Sequence, residues 1–159
     1  MPGEMTTAVR FRIATAADVP AVLALLADDA ISRDRGFGEV PAEVDPAVRT
    51  AFEAIDADPN NELIVAVQDG VVTGTCQLTF IPGLSRGGAL RMLVEAVRID
   101  SARRGQGLGA EMMRWAIERA RARGCRMVQL TTDKRRTDAH RFYQRLGFTA
   151  SHEGLKLAL

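Results

Sequence analysis

The most informative stretch of this chain is Val97-Arg98-Ile99-Asp100-Ser101-Ala102-Arg103-Arg104-Gly105-Gln106-Gly107-Leu108-Gly109. It begins as an apolar strand, continues as a basic, glycine-rich loop and ends where a helix begins. Because glycine has no Cβ, several backbone N–H groups of such a loop can point into one space. A helix N-terminus adds unpaired N–H groups and the positive end of the helix dipole. The stretch therefore predicts an anion-binding cradle suited to a pyrophosphate, with Arg103 and Arg104 at its mouth able to bond phosphate oxygens.

Three kinds of ligand use a cradle of this type. A P-loop closes with Gly-Lys-Ser/Thr, whereas Gly109 is followed by Ala110, which excludes an ordinary nucleoside triphosphate site. A dinucleotide fingerprint G-x-G-x-x-G/A fits at Gly105, Gly107 and Ala110, and Asp133 ends the next strand. However, only 50 residues follow Gly109, too few for a doubly wound sheet. Coenzyme A is the third ligand, and a tight turn that binds nothing is the remaining alternative.

Turn and capping residues predict the elements on either side of this stretch. Thr15 to Asp18 has the pattern of a capping box, and Asp45-Pro46 that of an N-cap followed by proline at the first helical position. Asp69-Gly70 predicts a β-hairpin turn. The predicted helices follow the capping box to residue 26 and span residues 46–55, 108–123 and 137–146. The predicted strands are residues 9–13, 62–68, 71–81, 89–99 and 126–132, with one or two more in 148–159.

The element order β-α-α-β-β-β-α-β-α-β predicts a mixed α/β fold. We expect a central, mostly antiparallel sheet of six to seven strands with a β-α-β coenzyme-binding core and helices on both faces. The chain has 159 residues, with no internal repeat and no low-complexity linker. These features predict a single domain spanning residues 1–159.

Composition and charge exclude several classes of function. A net charge of +1 gives no global field that would attract nucleic acid. Aliphatic runs such as Leu63–Val67 are far shorter than the 18 or so residues of a membrane span, and the first residues lack a signal-peptide pattern. We therefore expect a cytoplasmic protein without a membrane segment. Two cysteines and two histidines without ligand spacing predict no metal site, and we expect Cys76 and Cys125 to be buried free thiols.

Two motifs in this order resemble the GNAT N-acetyltransferase superfamily. Residues 104–109, Arg-Gly-Gln-Gly-Leu-Gly, resemble its Arg/Gln-x-x-Gly-x-Gly/Ala signature, and residues 97–99 resemble its fourth strand. Residues 139–148, Ala-His-Arg-Phe-Tyr-Gln-Arg-Leu-Gly-Phe, resemble its C-terminal A-x-x-F-Y-x-x-L-G-F segment. The element order is also that of the family. The resemblance covers most of the chain and is weakest over residues 27–60.

The resemblance implies an N-acetyltransferase that uses acetyl-CoA as co-substrate and needs no metal. The acceptor would be the primary amine of a small molecule, which attacks directly in a ternary complex. A protein lysine or N-terminal acetyltransferase and a non-catalytic acyl-CoA-binding module are the alternatives. Members of the family often form homodimers. The backbone of Val97, Arg98 and Ile99 would pair with the pantetheine arm, and the pyrophosphate would be held by the amides of Arg104, Gly105, Gln106, Gly107, Leu108 and Gly109.

Glu95 is the candidate general base. An amine with a pKa near 10 is mostly protonated at pH 7, so a base must remove a proton before it attacks. Glu95 lies two residues before Val97, where many members of the family carry a glutamate. Strict alternation places Glu95 on the same face as Val97 and Ile99, where partial loss of solvent suits a base, but a bulge in this strand would shift the register. A solvent-facing strand carboxylate is the alternative.

Tyr143 is the candidate general acid, because a phenol is protonated at pH 7 and can give its proton to a thiolate leaving group. It is the only tyrosine of the chain, and the alternative is a ring that only packs between helix and sheet. Many members of the family have asparagine seven residues earlier, where this chain has Arg136. The basic stretch from Asp133 to Arg136 either reaches the coenzyme phosphates or is a solvated loop. His140 either faces the coenzyme or lies on the helix surface.

Acceptor specificity is expected to come from two variable segments. Residues 27–44 are mildly acidic, which favours a cationic amine. Residues 82–90 and the following Arg91 include Ser85 and Arg86, which suit a carboxylate. A small amine that carries a carboxylate would satisfy both segments, but two unrelated solvated loops are the preferred explanation.

Overall fold

A computed structural model describes residues 8–28 and 43–159, so most of the predicted loop at 27–44 lies outside the described residues. The chain divides into two compact units, Met1–Gln129 and Leu130–Leu159. The prediction that the whole chain is one functional domain stays a prediction.

The sheet forms where apolar and polar residues alternate between turn residues. Its strands are β1 (Arg10–Ile13), β2 (Asn61–Gln68), β3 (Val71–Ile81), β4 (Arg91–Ile99) and β5 (Met127–Leu130). They lie in the order β1-β2-β3-β4-β5, and the pairs from β1 to β4 are antiparallel. The chain passes from β4 to β5 through a helix, which makes the sheet mixed. The mixed α/β class is therefore confirmed.

Two of the helical segments begin at predicted caps, Thr15 to Asp18 and Asp45, whereas the last helix begins after Arg136 without a side-chain cap. The helices are α1 (Val19–Ala27), α2 (Pro46–Ala57), α3 (Leu108–Ala122) and α4 (Thr137–Arg145), with single 3-10 turns at Ala16–Asp18 and Ser101–Arg103 and a tight turn at Ser85–Gly88. The Asp45 carboxylate accepts the Ala47 N–H at 2.8 Å, and the Thr15 N–H donates to Asp18 at 2.7 Å. Both caps satisfy N–H groups that a helix leaves unpaired.

The predicted count of six to seven strands is wrong, because the described residues form five. Residues 148–159 contain no strand. The Phe148 N–H bonds the Tyr143 carbonyl at the end of α4, and Leu155 and Leu157 in the tail are 92% and 86% exposed. An alternating apolar pattern favours a strand only where a neighbouring strand pairs with it, and this tail has no such neighbour in the described structure.

The two faces of the sheet carry different helices. On one side, which we call the α3 face, the rings of Phe11 and Trp115 lie 5.7 Å apart. The fully buried strand residues on this face include Ile64, Cys76, Leu78, Phe80, Met92 and Val94. On the other side, the α1 face, Val22 of α1 packs with Val65 of β2. Helices thus lie on both faces of the sheet, as predicted.

An ion-pair network fixes α3 against its face of the sheet. The Glu62 carboxylate is 8% exposed and pairs with two arginines at the C-terminal end of α3. Its oxygens lie 2.8 Å from Arg119 Nη2 and 3.3 Å from Arg123 Nη1. The Arg123 guanidinium also lies 3.8 Å from the centre of the Phe80 ring. A buried carboxylate is stable only when it is paired and hydrogen-bonded. The network therefore helps to hold the C-terminal end of α3 against the sheet.

Candidate functional site

A β-bulge interrupts β4 directly after Glu95. Gln77 of β3 pairs with Glu95, and Thr75 pairs with Arg98, so one residue of β3 faces two of β4. Ala96, the first of these two, has φ of 52°. A bulge bends its strand and leaves backbone groups outside the ladder. The backbone next to Glu95 is therefore shaped differently from the rest of the strand.

The bulge also decides which way Glu95 faces. The prediction from strict alternation, that Glu95 shares a face with Val97 and Ile99, is wrong because the extra residue shifts the register. Glu95 instead lies on the α1 face, opposite Gln77, while Ile99 pairs with Gly74 on the other face. Glu95 is exposed, so the expected loss of solvent on an apolar face is not what this structure provides.

A row of polar side chains leads across the α1 face to Glu95. The Thr79 hydroxyl donates to Asn61 Oδ1 at 2.9 Å, and Gln77 Nε2 donates to the same oxygen at 3.4 Å. The Asn61 side chain in turn donates to Asp58 at 2.8 Å. None of the residues of this row was predicted to belong to the site. Its signal was present, since residues 77 and 79 are polar at alternate positions of an apolar strand.

The glycine-rich loop has the open backbone that the sequence predicts. Gly105 and Gly107 have φ of 80° and 78°, and nothing lies within 4 Å of the position that a Cβ would take at either. The loop begins with the 3-10 turn Ser101–Arg103, which the Asp100 carboxylate caps. It ends at Leu108, where α3 begins. The arrangement is a strand, a bulge, an open loop and a helix N-terminus in one continuous segment.

The two arginines of the loop bond protein acceptors. Arg103 Nη1 donates to the side-chain oxygen of Gln68, a residue that is 8% exposed. Arg104 Nη2 donates to the Asp28 carbonyl at 3.4 Å. Arg103 is thus held against β2 in this structure, and the bonding of either guanidinium to phosphate oxygens stays a prediction.

The strand residues before the loop are half-buried. Val97, Arg98 and Ile99 are the residues for which the resemblance implies backbone pairing with a ligand. The Arg98 side chain donates to the Val97 carbonyl at 2.9 Å, and the Asp100 N–H bonds the Thr73 carbonyl at 2.8 Å. Sheet bonds therefore resume after the bulge, and the role of these residues in binding stays a prediction.

Tyr143 lies in α4, within the unit Leu130–Leu159. Its ring is half-buried and lies 5.0 Å from the Phe142 ring and 5.8 Å from the Phe148 ring, edge-on to both. Edge-to-face aromatic contacts stabilise such a group beyond the area they bury. The ring thus packs against two neighbouring aromatic rings, and its role as an acid stays a prediction.

The basic stretch before α4, residues 133–136, is held by hydrogen bonds between neighbouring residues. Arg135 Nε and Nη2 each lie 3.2 Å from the Asp133 carboxylate, and the Arg136 N–H bonds the Asp133 carbonyl at 2.9 Å. A ring nitrogen of His140 lies 3.3 Å from the same carbonyl. These contacts build a turn at the start of α4. They also pair the positive charge of Arg135 with the Asp133 carboxylate.

The remaining chemistry-bearing groups lie apart from this segment. Burial raises the pKa of Cys76 to about 12 and also raises the pKa of the half-buried Cys125. Both cysteines are free, and Cys76 is a buried thiol as predicted. Within residues 8–28 and 43–159, no group of three His, Cys, Asp or Glu is placed to hold a metal ion. No helix in the same ranges is long and apolar enough to cross a membrane.

Comparison with known proteins agrees with this geometry. The family profile described as Acetyltransferase (GNAT) family matches residues 26–148. An aminoalkylphosphonate N-acetyltransferase of Salmonella typhimurium is 36% identical over 106 residues, which cover 67% of this chain and 68% of that protein. A glucosamine 6-phosphate N-acetyltransferase of Trypanosoma brucei brucei is 32% identical over 90 residues, covering 57% of this chain and 59% of that protein.

A solved structure matches nearly the whole chain. It is described as a transcriptional regulator from Bacillus halodurans C-125 and superposes with a TM-score of 0.91. It is 47% identical, and the match covers 96% of this chain and 100% of that one.

Proposed function

The chain belongs to the acetyltransferase (GNAT) family, and on that basis we propose that it transfers the acetyl group of acetyl-CoA to the primary amine of a small molecule. The observation that carries the proposal is the continuous segment from Glu95 to Leu108. It combines a carboxylate, a bulged strand and a glycine-rich helix N-terminus, in the place where the resemblance to the family implies the coenzyme site.

The residues of the loop fit the phosphates of coenzyme A. A Cβ at Gly105 or Gly107 would project into open space beside the loop amides, which is the space that a phosphate must enter to reach them. Unpaired N–H groups at the start of a helix favour an anion there. We propose that the amides of residues 104–109 hold the pyrophosphate and that the backbone of residues 97–99 pairs with the pantetheine arm.

Acetyl-CoA supplies an activated thioester, whose carbonyl carbon gains a C–N bond as its C–S bond breaks, leaving an amide and a thiol. We propose that Glu95 accepts the proton of the attacking amine, directly or through water. A backbone N–H of β4 stabilises the negative charge on the carbonyl oxygen. Tyr143 donates the proton that the leaving sulfur takes up, an assignment that rests on the resemblance of its helix to the family motif.

The two catalytic assignments are tested by Glu95→Gln and Tyr143→Phe. Each variant should lower kcat and leave coenzyme binding intact, because neither side chain belongs to the proposed cradle. Full activity in both variants would refute the mechanism.

The small-molecule acceptor is supported by the names of the relatives. Aminoalkylphosphonate and glucosamine 6-phosphate are both small primary amines. A protein lysine or N-terminal acetyltransferase is the alternative within the enzyme class, and acetylation of peptides in preference to small amines would favour it. A non-catalytic acyl-CoA-binding module is supported by the description of the Bacillus halodurans protein as a regulator, and coenzyme binding without turnover of any amine would favour it.

Thermal unfolding with acetyl-CoA, CoA, NADH and no ligand tests the cradle first. A ligand at 100 times its Kd stabilises a protein by about 2.7 kcal/mol. We expect a higher Tm with acetyl-CoA and CoA and no change with NADH. A shift with NADH alone would support a dinucleotide site and overturn the proposal.

We further propose a homodimer, as the resemblance implies. The tail supports this, because Leu155, Leu157 and Leu159 alternate with less apolar neighbours and are 86% exposed or more. Such a stripe is typical of a strand that pairs with another chain. A dimer mass in solution that becomes a monomer mass when the three leucines are changed to serine would support it, and a monomer in the unchanged protein would refute it.

A further inference from the structure

The α1 face of β4 carries opposite charges at its two ends. Arg91, Leu93 and Glu95 alternate with Met92 and Val94, which are fully buried on the α3 face. The three residues therefore share the α1 face, before the bulge changes the register. Glu95 is exposed and Arg91 is half-buried.

Arg91 is a half-buried cation. Among residues 8–28 and 43–159, no hydrogen bond or ion pair to its guanidinium is found. The guanidinium of Arg91 lies close to the loop after β3, because its Nη1 is 3.3 Å from the position that a Cβ would take at Gly83. A guanidinium has five N–H donors in a fixed fork and always carries its charge. This arrangement suits an oxyanion that comes from outside the protein.

The strip of the α1 face from Arg91 to Glu95 is bordered by polar residues of β3. Glu95 pairs across the sheet with Gln77, and Leu93 pairs with Thr79. Glu95 lies four positions after Arg91, roughly 13 Å between Cα atoms at the rise of a strand, and both side chains are long enough to approach each other over Leu93. The strip therefore complements a small molecule with an amine at one end and an anionic group at the other.

We propose that Arg91 binds a phosphonate, phosphate or carboxylate group of the acceptor, while the amine of that acceptor meets Glu95. This assignment rests on the proposed acetyl transfer and names its substrate class as amines that carry an oxyanion. Arg91 is a specificity-determining residue that acts on the far end of the acceptor from the reacting nitrogen.

Arg86 is the other arginine for which the sequence predicts a carboxylate contact, and its place in the turn outside β4 makes it the matched control. It is exposed, and its Nη1 donates to the Met127 sulfur at 3.3 Å. It carries the same charge as Arg91 but lies in the turn between the strands, outside the strip on β4. Arg86→Gln therefore removes one positive charge near the site without removing the proposed anion contact.

Kinetics with three amines of similar size test the proposal: 2-aminoethylphosphonate, β-alanine and n-propylamine. The unchanged protein should prefer the two anionic amines, and the phosphonate and carboxylate arms show which oxyanion is the better ligand. Arg91→Gln should lower kcat/KM for them about 10- to 100-fold, mainly through KM, as expected for a lost charge-assisted hydrogen bond. It should leave n-propylamine and the KM of acetyl-CoA unchanged, Arg91→Lys should retain part of the preference, and Arg86→Gln should behave like the unchanged protein.

Calorimetric titration with methylphosphonate, in the presence of CoA, separates this proposal from the proposed function. Binding by the unchanged protein and by Arg86→Gln, but not by a folded Arg91→Gln, supports the anion site even if no amine is acetylated. Equal losses in Arg91→Gln for charged and neutral amines, or no loss at all, would overturn it. In that case continued acetylation of n-propylamine would leave the proposed function standing.

Discussion

Replacing Gly107 with alanine should abolish coenzyme binding at little cost to the fold, and Gly124→Ala is its matched control. Both glycines have φ of 78°, and nothing lies within 4 Å of a Cβ built at either. Each alanine therefore carries only the backbone cost of a left-handed conformation, about 1 kcal/mol. In a chain of this size, that lowers Tm by about 2–4 °C. The two variants should be almost equally stable without ligand.

They should differ once coenzyme is added. Gly107 precedes α3 in the loop proposed to hold the pyrophosphate, whereas Gly124 ends the same helix at the opposite terminus. A methyl group at Gly107 would occupy the space in front of the loop amides. Gly124→Ala should therefore keep the stabilisation of about 2.7 kcal/mol expected at 100 times the Kd, and Gly107→Ala should lose most of it.

The assay is thermal unfolding of the three proteins with and without CoA, followed by the KM of acetyl-CoA for those that are active. A Gly107→Ala variant that keeps the full ligand-induced shift would refute the cradle. A variant that loses far more than about 1 kcal/mol without ligand would show that the loop has a structural role that the open space around it does not reveal.

Three further variants test the rest of the molecule. Glu95→Gln should lower kcat about 10²- to 10⁴-fold with an unchanged CoA-induced Tm shift, and an unchanged kcat would exclude Glu95 as the base. The hydrogen bond from Arg12 holds the pKa of Asp18 below its usual value, so its contribution is full at neutral pH and is lost as the pH falls through that lowered pKa. Asp18→Asn should therefore lose about 1–3 kcal/mol in urea unfolding at pH 7, with a smaller difference in acid, and an equal loss at every pH would contradict this. Glu62→Gln should lose roughly 3 kcal/mol, because Arg119 is left without its carboxylate, and a loss below 1 kcal/mol in the same assay would show that solvent screens the network.

Local sequence signals predicted most of the elements correctly. The Asp45 cap and the Asp69-Gly70 turn depend on the backbone preferences of two or three adjacent residues. The structure shows Asp45 capping α2 and both turn residues at positive φ, 52° and 74°. The same holds for the glycine-rich loop, whose conformation follows from the absence of a Cβ.

Signals that depend on a distant partner were less reliable. The alternating tail around Leu155 and Leu157 reads as a strand, but a strand exists only where another backbone pairs with it. The face of Glu95 depends on one extra residue at Ala96, which strict alternation does not take into account. Gln68, 35 residues earlier in the sequence, accepts a hydrogen bond from Arg103, and the sequence did not predict this contact.

The sequence by itself determined the family, the order of the elements and the loop that suits a pyrophosphate, because each depends on residues that are adjacent in the chain. Only the tertiary structure decided that Gln77 and Thr79 of β3 lie beside Glu95 and Leu93 on the α1 face of the sheet. Those relations arise from strand register, from a bulge and from the packing of helices on two faces. They join residues that are separated along the chain, so no local pattern contains them.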